Sequence, residues 1–223
     1  MNNQFDHLIR KYSTDIPPRF VKGMIHVESA FRPDAKGPGG ELGLMQFLPS
    51  TAKTLGVQHD TLKNPETAIR YGTRYLSEIV GKYINPHLKA PIDPLLKVKL
   101  AQFAYNAGPL FTVRLLKRFG SDVLSNPSNF DRMVETLRGD PDIARLARLT
   151  KEADFLSARK KVVEKYQYWA DRYAGDFPPS PGEPPKPPVA AAAALTPPFP
   201  GGLALAALAA SALLWVYLRR NGP

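Results

Sequence analysis

The sequence contains no cysteine and only four histidines, His7, His26, His59 and His87. The lack of cysteine excludes structural disulfides, a thiol nucleophile and zinc bound by cysteine. No two histidines stand at a metal-ligand spacing such as H-E-x-x-H. The G-x-S-x-G elbow of serine hydrolases and a glycine loop followed by G-K-[ST] are also missing. We therefore expect no metal site, no phosphate-binding loop and no serine nucleophile.

The first residues, MNNQFDHLIRKY, contain no apolar stretch of signal-peptide length. We therefore predict no ordinary secretion signal here. Instead, Phe5, Leu8, Ile9 and Tyr12 share one face of a short amphipathic helix.

Positive charge exceeds negative charge, and the formal net charge is +10 at pH 7. Such an excess favours an anionic partner, which could be nucleic acid, an anionic membrane surface or an acidic cell-wall polymer. It carries no information about the fold.

Composition divides the chain into four parts. Residues 1–174 are mixed and periodic, which predicts a folded domain, and residues 175–200 are rich in proline and alanine, which predicts an extended linker. Residues 201–218 carry no charge. As a helix they would rise about 27 Å, close to the ~30 Å hydrocarbon core of a bilayer. We predict a transmembrane helix there, followed by a short basic tail at 219–223.

Helical periodicity dominates the predicted domain. Apolar residues recur at helical spacing in five segments, residues 17–30, 65–83, 94–107, 109–119 and 152–173. No run of alternating strands is evident, although a short hairpin around residues 34–44 fits the glycine-rich loop. We therefore predict a mainly α domain.

One acidic residue lies on an apolar helix face. In PPRFVKGMIHVESAF, Val21, Met24, Ile25 and Phe31 form an apolar stripe, and Glu28 lies on the same face. Burial disfavours the charged form of a carboxyl group, so its pKa rises and it can act as a general acid near neutral pH. The alternative is a structural glutamate bonded to loop backbone.

Four ordered blocks surround Glu28. These are ESAF, then GLMQ with a proline three residues later, then the NP of residues 64–65 with GT and YL behind it, and finally AYNAGP. In this order they resemble the catalytic domain of the soluble lytic transglycosylases, relatives of goose-type lysozyme. The resemblance covers roughly residues 5–115 and implies a lysozyme-like fold.

The resemblance also implies roles for single residues. Glu28 matches the single catalytic acid of the family, and Ser29 matches the serine that supports its helix. The residues that match substrate-binding positions in the cleft are Met45, Gln46, Tyr105 and Asn106, with Ser29 counted among them. Alternatives remain open, since Met45 and Tyr105 would also suit core packing and Asn106 a helix C-cap. No cofactor or metal is implied.

The sequence departs from the family pattern at several places. Gly37 stands where the family often has a serine, and Leu110 replaces the last glycine of NAGPG. A late tyrosine of the family has no clear counterpart. Tyr166 is one candidate, while Phe155 and Leu156 stand nearer the usual place.

The implied reaction is cleavage of the bond between N-acetylmuramic acid and N-acetylglucosamine, with formation of 1,6-anhydromuramic acid. One rival is a hydrolysing muramidase with Asp34 or Glu41 as a second carboxylate, although both look like solvated loop residues. The other is a non-catalytic protein that binds the cell wall or nucleic acid through its positive charge.

The basic run at residues 159–161 is interpreted as the solvated face of the last helix, not as a nucleic-acid-binding groove. The partners expected are therefore peptidoglycan and, through residues 201–218, a membrane. That membrane is either a virion membrane or a bacterial inner membrane, with the enzyme facing the periplasm.

Overall fold

A computed structural model describes residues 2–89, 91–120, 128–138, 140–141 and 154–177 of the chain. The predicted transmembrane helix, the basic tail and the linker beyond Phe177 lie outside the described residues. Within those residues, no helix is both long and apolar enough to cross a membrane.

The described residues are mainly helical, as predicted. Eight α-helices occur among them: α1 Asp6–Tyr12, α2 Pro18–Ser29, α3 Pro49–Thr54, α4 Pro65–Glu78, α5 Pro94–Ala107, α6 Pro109–Phe119, α7 Ser128–Leu137 and α8 Phe155–Arg172. A π-helical segment, Ile79–Ile84, extends α4, and short 3-10 turns span His59–Lys63 and Asn85–His87. The predicted hairpin reduces to two isolated antiparallel bridges, which join Leu42 to Lys36 and to Phe47.

Proline sets where most of these helices begin. Five of them, α2 to α6, have proline in their first turn. The fixed φ of proline suits this position, where the missing N–H would have no intrahelical acceptor. Side chains complete two of these starts: Asn64 accepts from Thr67 N–H at 3.0 Å, and Asp93 accepts from Leu95 N–H at 2.7 Å. The starts are therefore encoded locally in the sequence.

The core is built around the packing of α2 along α8. Gly23 of α2 makes this approach close, because a Cβ atom there would lie 2.5 Å from the carbonyl oxygen of Tyr166. Helix α5 also packs on α8, and α1 packs on α4. Because Gly23 has no side chain, α8 can pack directly against α2.

Ion pairs of Lys22 join α1 to the residues that follow α8. Its side chain has no solvent exposure, and its Nζ lies 2.7 Å from carboxylate oxygens of both Asp6 and Asp176. Phe177 is also buried, with the guanidinium of Arg10 4.4 Å from its ring centre. The packed domain thus extends to Phe177, three residues past the boundary that composition suggested.

The basic run at residues 159–161 of α8 is only partly exposed to solvent, whereas the sequence predicted a solvated face. Arg159 has no solvent exposure, and its guanidinium lies 4.6 Å from the Phe155 ring centre. Lys160 lies 3.2 Å from a carboxylate oxygen of Asp131. The prediction was wrong for Arg159 because it sits one helical turn after Phe155, on the face of α8 that enters the core.

Candidate active site

Glu28 lies in the last turn of α2, among the buried residues of that helix. Its residue is 7% exposed, while Val21, Met24 and Ile25 on the same face have no exposure. The helix ends abruptly, because Ala30 and Phe31 adopt left-handed φ angles of 50° and 62°. Such angles are uncommon for residues other than glycine and occur often at functional sites. This turn directs the chain into a loop, residues 32–47, that folds back toward Glu28.

Burial raises the pKa of Glu28 to about 7. A hydrogen bond from the Tyr166 hydroxyl opposes this shift, and the nearby Glu41 carboxylate adds to it. Burial dominates because the surrounding side chains replace the water that would stabilise the charged form. Glu28 can therefore hold a proton near neutral pH and also give it up, as a general acid must.

Tyr166 of α8 is the partner that holds the Glu28 side chain. Its hydroxyl donates a hydrogen bond to Glu28 Oε1, and Asn106 of α5 forms a hydrogen bond with the same hydroxyl. Burial raises the pKa of Tyr166 well above its usual value, so the hydroxyl keeps its proton. Three helices thus fix the position of one carboxyl group.

Gln46 and Tyr105 line a cleft on the surface of the domain. Tyr105 is 8% exposed, and its hydroxyl donates to the carbonyl oxygen of Met45 at 2.7 Å. Gln46 Nε2 donates to the carbonyl oxygens of Ala35 at 3.0 Å and Gly43 at 2.8 Å. The remaining residues of the cleft wall are Phe47, Leu48, Ser50, Thr51, Thr54, Tyr75, Glu78, Tyr83, Gly108, Pro109 and Leu110.

Met45 and Ser29 are not among the residues that line this cleft, and neither are Glu28 and Asn106. The Met45 side chain has no exposure, and its sulfur lies 2.0 Å from where a Cβ atom of Gly72 would be. The Ser29 hydroxyl donates to the carbonyl oxygen of Ile25 at 3.1 Å, within its own helix. In this structure Met45 packs in the core and Ser29 stabilises the end of α2.

The two alternative carboxylates of the loop have opposite environments. Asp34 is exposed, as the sequence suggested. Glu41 has no exposure at all, so its interpretation as a solvated loop residue was wrong. The reason lies in the loop itself: the bridges of Leu42 to Lys36 and Phe47 fold it back on itself, and Gly37 leaves room for the Glu41 side chain.

Buried hydrogen-bond acceptors accumulate around Glu28. Glu28 Oε2, Glu41 Oε1 and Gln46 Oε1 are buried without a hydrogen-bond partner among the described residues. Leaving a buried acceptor unpaired costs free energy, so these three oxygens are kept at the expense of stability. Among the residues that the structure describes, no three His, Asp or Glu side chains converge in the manner of metal ligands.

Some residues of this site were not predicted from the sequence. Tyr166 was one candidate among three for the late tyrosine, and its contact with Glu28 spans 138 positions in the sequence. Glu78, the last residue of α4, and Tyr83, in the π-helical segment that follows it, line the cleft but carried no sequence signal. Leu110, where the family has glycine, lies at the cleft and is 41% exposed.

Comparison with known families identifies the class of this domain. The transglycosylase SLT domain matches residues 8–122, which is more than half of the chain. The protein therefore belongs to the transglycosylase SLT family. The matched residues contain Glu28, the loop of residues 32–47 and the cleft residues Tyr105 and Leu110.

Similar proteins come from bacteria and from a bacteriophage. The chain is 36% identical to the membrane-bound lytic murein transglycosylase F of Vibrio parahaemolyticus over 121 residues, which are 52% of this chain and 21% of that protein. It is 33% identical to the Aliivibrio fischeri protein of the same name over 122 residues, 53% of this chain and 23% of the relative. Over 70 residues it is 43% identical to the peptidoglycan transglycosylase gp16 of Escherichia phage T7, covering 29% of this chain and 5% of gp16. The chain thus spans less than a quarter of the length of these relatives.

A solved structure shares the fold. The crystal structure of the 70 kDa soluble lytic transglycosylase of Escherichia coli has a TM-score of 0.53 and 24% sequence identity, covering 79% of this chain and 25% of that one. This similarity confirms the predicted mainly α, lysozyme-like class for the domain.

Proposed function

We propose that this protein is a peptidoglycan lytic transglycosylase with Glu28 as its catalytic acid and base. The observation that carries the proposal is the state of Glu28, a buried carboxyl group with a pKa of about 7 that accepts a hydrogen bond from Tyr166. Membership of the SLT family and the names of the similar proteins support the same reaction.

The proposed reaction needs one carboxyl group. Protonated Glu28 donates its proton to the glycosidic oxygen, so the bond between C1 of N-acetylmuramic acid and O4 of N-acetylglucosamine breaks. The Glu28 carboxylate then accepts the proton of the muramic acid 6-hydroxyl, whose oxygen bonds to C1 and closes the 1,6-anhydro ring. Holding the nucleophile within the same sugar removes an entropic cost, and Glu28 ends the cycle protonated.

The surroundings of the two loop carboxylates favour this reaction over hydrolysis. An inverting glycosidase needs a second carboxylate that faces a water molecule across the sugar, and a retaining one needs a carboxylate that reaches the sugar carbon. Glu41 has no exposure, so neither sugar nor attacking water reaches it in this structure. Asp34 is exposed, so it lacks the burial that raises the pKa of Glu28.

The first expected result concerns the product. Purified protein acting on isolated peptidoglycan should release muropeptides with 1,6-anhydro ends, each lighter by one water than the hydrolysis product. Mass spectrometry of the digest separates the two, with hen-type lysozyme digestion as the control for hydrolysis. Fragments with reducing muramic acid ends would instead establish the muramidase alternative and direct attention to Asp34 and Glu41.

We also propose that residues 201–218 anchor the enzyme to a membrane. The segment has 18 residues without charge and follows a proline-rich linker, residues 175–200. The name of the F-type relatives describes them as membrane-bound, and one of the similar proteins comes from a phage. The linker would then give the domain reach from that membrane to the cell wall.

The anchor has a direct test. The full chain should float with lipid vesicles in a density gradient, whereas a chain ending after Phe177 should stay in the dense fraction and remain folded. Ending there keeps Asp176 on Lys22 and Phe177 in its buried place. Equal flotation of both proteins would refute the anchor. Detection in purified virions, or only in the bacterial envelope, then decides between the two membranes.

A further inference from the structure

Helix α6 begins at the cleft and has one side open to solvent. Leu110 is 41% exposed and lines the cleft, and Arg114 and Lys117 are exposed further along the helix. With 3.6 residues per turn, these three positions fall within about 60° of one another around the helix axis. Thr112 and Leu115, on the opposite side, are buried. Leu110, Arg114 and Lys117 therefore form one surface, which we call the outer face of α6.

The two cations of the outer face have no acidic partner within reach on their own helix. The sequence of α6, Pro109–Phe119, contains neither aspartate nor glutamate. Arg114 and Lys117 form no ion pair with any residue that the structure describes. The neighbouring Arg118 differs from them, because its guanidinium pairs with Asp140. The outer face thus presents two positive charges to solvent.

The carboxylate in the cleft wall does not neutralise these charges. Glu78 supplies that carboxylate, and its Oε1 lies 3.1 Å from Arg74 Nε while its Oε2 lies 3.5 Å from Lys82 Nζ. Its charge is therefore matched by two other cations. Arg114 and Lys117 remain available to an anionic ligand.

The outer face extends away from the cleft along the helix. At ~1.5 Å per residue, Arg114 lies about 6 Å and Lys117 about 10 Å beyond Leu110 along the axis. A polymer whose backbone occupied the cleft would place its side branches over this face. Peptidoglycan is such a polymer, because its muramic acid units carry peptide stems that end in free carboxylates. Carboxylates are the anions that arginine and lysine side chains bind through charge-assisted hydrogen bonds.

We propose that the outer face of α6 binds the peptide stems of peptidoglycan, with Arg114 and Lys117 holding stem carboxylates while the glycan lies in the cleft. This role rests on the proposed function, and it names the part of the substrate that the protein recognises outside the cleft. Nucleic acid fits the face less well, because its binding depends on neutralising many phosphates along one surface.

The test measures binding of the full-length protein, kept in non-ionic detergent on ice, to isolated sacculi by co-sedimentation. Carbodiimide and ammonia convert the stem carboxylates of a second batch of sacculi into neutral amides and leave the glycan intact. The double variant Arg114→Gln/Lys117→Gln should bind native sacculi about three- to tenfold more weakly than the unchanged protein, because an exposed ion pair contributes modestly. On amidated sacculi the two proteins should bind alike. At about 0.5 M salt, which screens exposed charges, their difference on native sacculi should also disappear.

The matched control is Arg132→Gln/Lys161→Gln. It removes one arginine and one lysine from exposed positions of α7 and α8, so the net charge changes by the same amount. This variant should bind native sacculi as the unchanged protein does. Circular dichroism should show that both double variants are folded.

The outcomes separate this proposal from the proposed function. Binding that depends on stem carboxylates and on Arg114 and Lys117, without release of fragments by the unchanged protein, would support the stem site and refute the lytic reaction. Cleavage with equal binding of the unchanged protein to native and amidated sacculi would overturn the stem site alone, and this comparison needs no variant to fold. A third result would also overturn it: normal binding of Arg114→Gln/Lys117→Gln to sacculi, with loss only of a preference for phosphatidylglycerol over phosphatidylcholine vesicles, would make the face a membrane contact.

Discussion

Glu28→Gln is expected to lower the rate of peptidoglycan cleavage by at least about a hundredfold, the low end of what general acid–base catalysis contributes. Glutamine fills the same buried space and can still accept the hydrogen bond from Tyr166, but it has no acidic proton to give to the leaving oxygen. The measurement is the initial rate of release of soluble fragments from purified peptidoglycan, compared at equal concentrations of folded protein.

The matched control for this variant is Glu164→Gln. Glu164 lies on the exposed side of α8, where its carboxylate is 3.7 Å from Lys160 Nζ. Replacing it changes the charge by the same amount and should leave the rate within about twofold, because exposed ion pairs contribute little. Wall cleavage at a near-normal rate by folded Glu28→Gln would show that another group supplies the proton.

Tyr166→Phe is expected to lower the rate by roughly ten- to a hundredfold. A hydrogen bond to a charged group contributes about 1.5–3 kcal/mol, and each ~1.4 kcal/mol corresponds to tenfold. Phenylalanine keeps the packing of α8 on α2 but leaves the Glu28 side chain without its fixed donor. The variant should therefore lose correct orientation of the acid while remaining folded.

The pH dependence of Tyr166→Phe gives a sharper test than its rate. Burial raises the pKa of Glu28, and the Tyr166 hydrogen bond lowers it by stabilising the ionised form. Removing the hydroxyl should therefore move the alkaline limb of the pH–rate profile to higher pH. Tyr168→Phe, on the same helix but bonded to Arg172, is the control and should leave both rate and limb unchanged. A limb that stays in place in folded Tyr166→Phe would argue that the contact with Glu28 is not formed in the working enzyme.

Much of the helical architecture follows from local sequence. The predicted segments 94–107 and 109–119 agree with α5 and α6 to the residue, because a proline begins each helix and Gly108 or Gly120 ends it. Helix α7 was missed, although Phe130, Met133, Val134 and Leu137 have the spacing of one buried face. The predicted helix 65–83 changes to a π-helical segment at Ile79, a widening that apolar spacing does not reveal.

The order of the blocks around Glu28 predicted the family, and the match of the SLT domain confirmed it. The apolar stripe of α2 predicted that Glu28 is buried. Both are local properties: one depends on residue identity along the chain, the other on the period of a single helix. The burial of this acid therefore needed no knowledge of what packs against it.

Tertiary structure alone decided which side chains surround that acid. Tyr166 reaches Glu28 because α2 and α8, far apart in sequence, approach closely at Gly23. Glu41 is buried because its loop folds back and Gly37 leaves space for its carboxylate, although its sequence neighbours resemble a solvated turn. The spacing of apolar residues along the chain shows which face of one helix is buried. The neighbours of a buried group depend instead on how distant parts of the backbone approach each other, and no local pattern contains that information.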